Sequence, residues 1–168
     1  MLFYLAPMEG ITGYIVRNAY AHYFPYIDKY FTPFIPAAKK MSKKIKRDLA
    51  AENNGQIRLV PQLIGNRADE FLMMIRQLED LGFTSVNLNF GCPSGTVVSK
   101  RKGAGFLEEP EELEMLLEEV LENSPLAVSV KTRVGIKDPD EWEALCGVYA
   151  KFPLEELIIH PRLQIDYY

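Results

Sequence analysis

The sequence predicts an α/β fold of the (β/α)8 TIM-barrel type, truncated to about six strands and five helices. Three observations carry this reading. Apolar, β-rich stretches alternate along the chain with stretches of helical periodicity, which argues for a parallel sheet. Each strand–helix unit recurs after roughly 25–30 residues, as in a barrel. Distinctive polar residues cluster at the C-terminal ends of successive strands, the face on which such barrels carry their chemistry. A doubly wound sheet is the alternative, but no G-x-G-x-x-G follows the first strand.

The elements follow in order. Leu2 to Ala6 is a short apolar strand stopped by Pro7. Thr12 can cap a helix from Gly13 to His22, with Ile15, Ala19 and Tyr23 as its apolar stripe. Lys29 to Phe34 is the second strand and Ser42 to Ala51 a short basic helix. Arg58 to Gly65 is the third strand, and its Pro61 predicts a bulge or a missing ladder bond. Asn66 caps a helix running to Leu81, with Gly82 as its stop. Ser85 to Phe90 is the fourth strand. Pro110 opens the next helix, whose core face is Leu113, Leu116, Leu117, Val120 and Leu121 and whose other face is almost wholly glutamate. Leu126 to Lys131 is the fifth strand, Pro139 to Lys151 a helix, and Leu157 to His160 the sixth strand.

A net charge of −4 excludes a general polycation, so contact with nucleic acid must come from local patches. One such patch is the run Lys39 to Arg47; the competing reading is a solvated helix face. Two cysteines give no disulfide framework, which fits a reducing, cytoplasmic setting. Cys146 shares helical spacing with Trp142, Leu145 and Tyr149 and is read as core packing. No apolar run reaches the length of a membrane span, and the N-terminus reads as a strand rather than a signal peptide.

Ser85 to Leu107 organises the chain. Val86, Leu88 and Phe90 point one way, Asn87 and Asn89 the other. An inward asparagine needs hydrogen-bond partners, and a ligand with amide-like edges would supply them. Cys92 stands between Gly91 and Pro93, which together fix its place. The plain alternative is a small buried thiol without chemistry. Lys100, Arg101 and Lys102 follow in the same loop, positioned to meet phosphates or merely solvated.

Taken strand by strand, the C-terminal ends supply Pro7 and Met8, then Gln62, then Asn89 and Cys92, then Lys131 and Arg133, then His160 and Arg162. These suit a flavin. Gln62 can donate to and accept from the amide edge of an isoalloxazine, and Asn89 can order that edge or a pyrimidine. Lys131 can stabilise negative charge on the reduced ring. Pro7 and Met8 offer backbone amide groups and an apolar surface. A thiol that is protonated at neutral pH yet able to give up its proton suits Cys92 as a general acid.

APMEGIT at 6–12, PQLIG at 61–65, NLNFGCP at 87–93, GAGFL at 103–107, VKTRVG at 130–135 and IIHPR at 158–162 resemble, in order, the motifs of tRNA-dihydrouridine synthases. That resemblance implies an FMN-binding barrel followed by a helical tRNA-binding domain, with residues 1–168 as the N-terminal part of the barrel. It implies an oxidoreductase in which NADPH reduces FMN and hydride passes to C6 of a flipped-out uridine. By the same resemblance Cys92 protonates C5, and Pro7, Met8, Gln62, Lys131 and His160 contact the flavin. Asn89, Lys100 and Arg162 lie toward substrate RNA. Arg101 and Lys102 depart from the pattern, where a glycine or another small residue is expected.

A complete barrel runs to about 250 residues. The sequence therefore predicts an open sheet that self-associates, and a chain that on its own holds FMN weakly or not at all. The alternatives are a non-catalytic barrel remnant that binds RNA or a partner, and another flavin barrel such as a dihydroorotate dehydrogenase. The Gly91-Cys92-Pro93 and GAGFL pairing argues against the last.

Overall fold

A computed structural model of the chain describes residues 1–55 and 57–167. Every strand pairing among them is parallel. The strands are β1 (Tyr4–Leu5), β2 (Lys29–Phe31), β3 (Ile35–Pro36), β4 (Leu59–Val60), β5 (Gln62–Ile64), β6 (Ser85–Phe90), β7 (Ala127–Arg133) and β8 (Leu157–His160). They form two ladders, β1-β2-β4 and β3-β5-β6-β7-β8. The third predicted strand appears as two pieces, and β3 lies just past the predicted end of the second at Phe34, so eight segments stand for six barrel strands. Their spatial order follows sequence order without reversal. A doubly wound sheet reverses at its switch point; this one winds in a single direction, as a barrel does.

Pro61 accounts for one break. It has no N–H to give to a ladder, and it separates β4 from β5. Thr32 spans the gap: its N–H donates to the Val60 carbonyl at 3.2 Å, and its hydroxyl accepts from the Gln62 N–H at 3.0 Å. The sheet is also curled. Glu156, just before β8, accepts from the Tyr4 hydroxyl of β1 at 2.6 Å and from Lys29 Nζ of β2 at 2.7 Å. The first and last strands thus meet at their N-terminal ends.

The helices are α1 (Tyr14–Tyr23), α2 (Lys43–Leu49), α3 (Ala68–Asp80), α4 (Gly95–Val98), α5 (Pro110–Asn123) and α6 (Glu141–Tyr149). α3 buries Phe71, Met74, Ile75 and Leu78, and α5 buries Leu113, Leu116, Leu117 and Val120, against Val86, Leu88, Val128 and Val130 of the sheet. Each such side chain contributes roughly 1.5–3 kcal/mol. Gly82 stops α3 at φ +88, where the Phe83 N–H donates to the Leu78 carbonyl at 3.1 Å.

Four expectations are corrected. α1 does not turn Ile15, Ala19 and Tyr23 inward: Ile15 is 68% and Tyr23 73% exposed, and Ala19 is exposed too. Its one buried residue is Arg17, whose guanidinium reaches the Thr12 carbonyl (2.8 Å), Asp48 Oδ2 (3.0 Å), the Asp48 carbonyl (2.8 Å) and Asn54 Oδ1 (2.7 Å). A guanidinium with both Nη groups so bonded is cheaper to bury than an unpaired charge, although its Nε finds no partner among the described residues. Thr12 does not cap α1; its hydroxyl accepts from the Met8 N–H at 2.8 Å, and Asp48 Oδ1 takes the Tyr14 N–H at 2.8 Å instead. Asn66 does not cap α3; its amide donates to the Lys100 carbonyl at 3.1 Å. Cys146 is exposed: the buried face of α6 is Leu145, Val148 and Tyr149, and Cys146 lies about 100° round from Leu145.

Candidate active site

Parallel register assembles the site. Gln62 stands beside Asn87, Asn89 beside Lys131, and Arg133 beside His160. The inward polar residues of β5, β6 and β7 are joined by hydrogen bonds. Gln62 Nε2 donates to Asn87 Oδ1 at 2.7 Å, Asn87 Nδ2 to Ser129 Oγ at 3.0 Å, and Asn89 Nδ2 to Gln62 Oε1 at 2.8 Å. Buried amides thus satisfy one another, as they must. Gln62 is fully buried and spends one N–H and one lone pair on its neighbours. Its carboxamide keeps one more N–H.

Asn89 holds the cysteine loop. Its Oδ1 accepts from the Gly91 N–H at 3.0 Å and the Cys92 N–H at 2.9 Å, an Asx-type turn at the strand end. Gly91 takes no left-handed φ; that conformation falls on Gly103, at φ +56. The turn Gly103–Phe106 packs under the loop, with the Ala104 N–H on the Cys92 carbonyl at 3.0 Å and Phe106 stacked on Phe90 at 5.7 Å. A β-carbon on Gly103 would lie 2.8 Å from the Cys92 carbonyl oxygen, and one on Gly105 2.8 Å from that of Val98. Arg133 braces the loop from the other side: its Nε donates to the Gly91 carbonyl at 2.9 Å, and Nη1 to the Leu163 carbonyl at 2.7 Å.

Electrostatics divides the mouth. Burial pushes the Cys92 thiol up and the Glu9 charge adds to it, against the Ser94 amide and Arg133, so the thiol stays protonated at neutral pH. Burial and the Arg133 charge push Lys131 down. The half-buried Lys131 ammonium has no acidic partner among the described residues. Burial lowers His160, and the charges of Arg133, Lys131 and Arg162 lower it further. The mouth is therefore a cationic arc around a neutral thiol.

The remaining predicted residues lie at its edge. Pro7 is half-buried and Met8 is exposed; Pro7 has no N–H, and both the N–H and the carbonyl of Met8 are bound within the loop to Ile11 and Thr12, leaving apolar surface. Lys100 is exposed on the outer side of the loop, and Arg162 is exposed beyond β8. Arg101 adopts φ +51, where a glycine would be at ease, and turns outward to Glu112 at 3.0 Å. Ser129 and Glu9 were not singled out in advance. Ser129 carried a signal, since it lies two residues from Lys131 on the same face of one strand.

A singly wound parallel sheet with a thiol loop at its C-terminal mouth, beside a lysine that has no acidic partner among the described residues, defines a barrel-type α/β protein with a candidate active site at the strand ends. The chain matches the description Dihydrouridine synthase (Dus) over residues 4–168 and belongs to that family. It is 30% identical over 164 residues to a probable tRNA-dihydrouridine synthase of Staphylococcus epidermidis (strain ATCC 12228 / FDA PCI 1200), covering 95% of this chain and 49% of that protein. It is 29% identical over 167 residues to a probable tRNA-dihydrouridine synthase 2 of Bacillus subtilis (strain 168), covering 98% and 51%. The chain spans about half the length of the relatives it matches.

Proposed function

We propose that this chain forms the catalytic-loop part of an enzyme that reduces uridine in tRNA to 5,6-dihydrouridine, with FMN as cofactor and NADPH as reductant. The observation that carries the reading is that Asn89, which holds the loop of the protonated Cys92 thiol, stands in register with Lys131, a half-buried lysine with no acidic partner among the described residues. The donor set fits a flavin: Lys131 and His160 offer positive or dipolar contact to the pyrimidine edge, Gln62 one free N–H, and Pro7 and Met8 an apolar ledge. FMN, when bound and reduced, supplies the hydride for C6 of uridine.

The chain's own residues do the rest. Asn89 and Arg133 fix the loop so that Cys92 is presented at one place. The Cys92 Sγ–H proton goes to C5 of the uracil, completing saturation of the C5–C6 double bond, and solvent then reprotonates the thiolate. Burial keeps the proton on sulfur until that step. Lys100 and Arg162, exposed at the edge, take RNA phosphates. No described helix is long and apolar enough to cross a membrane, in keeping with a tRNA substrate.

The test is mass spectrometry of nucleosides from tRNA incubated with the protein, FMN and NADPH. A uridine gaining the mass of two hydrogens is expected. Flavin reduction without any such product, across a full set of unmodified tRNAs, overturns the reading.

A further inference from the structure

A cavity of about 550 Å³ opens between the loop and helix start at Glu9–Val16, the segment Pro33–Pro36 and α2. That volume lies inside the range of about 300–1,000 Å³ that small-ligand sites occupy. It follows the C-terminal ends of the first and second barrel strands, so it opens on the same face as the thiol mouth. Glu9 joins the two: it lines the cavity, and its charge is felt at Cys92. The walls are apolar and aromatic, with Ile11, Val16, Phe34 and Ile45 beside the Tyr14 ring. Arg47 sits over that ring at 5.8 Å.

The rim on the α2 side is basic. Lys44 and Arg47 line it, and the run around them holds Lys39, Lys40, Lys43 and Lys46. None of these six has an ion pair among the described residues, although the chain as a whole carries a net charge of −4. Of the two acids that line the cavity, Asp48 is engaged by Arg17 and by the Tyr14 N–H, and Glu9 belongs to the loop before α1. An aromatic-walled hollow under a cationic rim matches a nucleotide, with the base on a ring and the phosphate at the rim. A duplex cannot put a base into a concave wall, and an acidic peptide has no planar group to fill it.

We propose that this cavity takes an unpaired nucleotide of the substrate RNA, on the same face of the sheet as Cys92. The inference rests on the reading of the chain as acting on tRNA, and it adds a second base-holding site to that reading. Stacking and charge contribute separately, and the two can be measured apart.

The probe is a short oligouridylate carrying 4-thiouridine, titrated and photo-crosslinked to the chain at several salt concentrations. Crosslinks are expected on Tyr14 or Phe34. Phe34→Ala should weaken binding about tenfold with the salt dependence unchanged. Arg47→Ala should reduce the slope of log affinity against log salt by about 1. Tyr14→Leu, which keeps apolar volume, gives the stacking test if Phe34→Ala does not fold by circular dichroism. Equal affinity of both aromatic variants and wild type, or crosslinks only elsewhere, overturns the proposal. So does displacement of the oligonucleotide by polyglutamate or by NADPH at concentrations where a second oligouridylate does no better. If the cavity is crosslinked but tRNA never gains dihydrouridine, the function reading fails and the cavity assignment stands. If dihydrouridine forms equally well with Phe34→Ala and Tyr14→Leu, the reverse holds.

Discussion

Glu156 Oε2 lies 2.7 Å from Lys29 Nζ, and the two residues are 127 positions apart in the chain. Lys29 is 2% exposed, and Tyr4 bonds the other carboxylate oxygen at 2.6 Å. The pair sits at the N-terminal end of the strands, opposite the thiol mouth, where residues of barrels serve stability rather than chemistry.

Removing one partner should therefore cost folding energy. Glu156→Gln leaves the Lys29 ammonium buried without its counter-ion, at a cost of about 3 kcal/mol, the low end for a broken buried pair. Lys29→Met combined with Glu156→Gln should recover part of that loss. Burial raises the Glu156 pKa, but bonds from Lys29 and Tyr4 and the charges of Lys29 and Arg58 outweigh it, so the net shift is downward. A depressed carboxylate gives stability above its unfolded value that is lost as pH falls through its folded value. Urea denaturation near neutrality and in mild acid checks this: the gap between wild type and Glu156→Gln should narrow in acid, and a constant gap contradicts it.

Cys92→Ala, made in the flavin-loaded protein, should leave reduction of the flavin by NADPH nearly intact. Uridine reduction should slow by about 10²-fold or more, the usual worth of a positioned general acid. In wild type, product formation should fall at alkaline pH, above the ordinary thiol range, because burial holds the proton on sulfur. Rapid-reaction kinetics separates the two half-reactions; a variant that reduces tRNA at the wild-type rate removes Cys92 from the mechanism.

Gly103→Ala should destabilise the chain by about 1–3 kcal/mol, from overpacking and a strained left-handed φ. The added carbon would lie 2.8 Å from the Cys92 carbonyl oxygen and 3.0 Å from Cys92 Cβ, so the thiol loop must move. Gly95→Ala, with nothing within 4 Å, is the control and should change stability by about 0.5 kcal/mol or less. Thermal unfolding of both variants, with the alkylation rate of Cys92, reads the difference.

The two thiols should react in the order of their exposure. Cys146, on the outer side of α6, should be alkylated by iodoacetamide before Cys92, whose burial holds back its thiolate. Cys146→Ser should change stability by about 0.5 kcal/mol or less. Timed alkylation followed by peptide mass spectrometry decides the order.

Much of the fold was legible because its signals are local. Pro61 announces its own break by lacking an N–H. Gly82 announces the end of α3, and the alternation through Val86–Phe90 tells which side of β6 faces the mouth. The inner face of α1 was not legible, because an arginine is buried there while Ile15 and Tyr23 face outward. Apolar spacing identifies a stripe but not what the stripe meets. Cys146 failed for a related reason: it adjoins a true buried stripe one residue away. In the site, strand ends named residues that parallel register brings to neighbouring places, Asn89 beside Lys131 and Arg133 beside His160. They could not show that Gln62 and Asn89 bond to each other, or that Asn89 orients the cysteine loop, because register between strands is set by packing rather than by either strand alone.

Arg133 joins the Gly91 carbonyl to the carbonyls of Leu163 and Tyr167, at 2.9, 2.7 and 2.5 Å. This gives the site a timetable. A nascent chain emerges N-terminus first, so the sheet from β1 to β7 can assemble while the segment that completes the brace is still unmade. Until it arrives, Asn89 and the Ala104 N–H hold the loop, and Arg133 reaches the Gly91 carbonyl without its anchors at Leu163 and Tyr167. The brace on the thiol loop is thus completed only after the strands that surround it can already have formed.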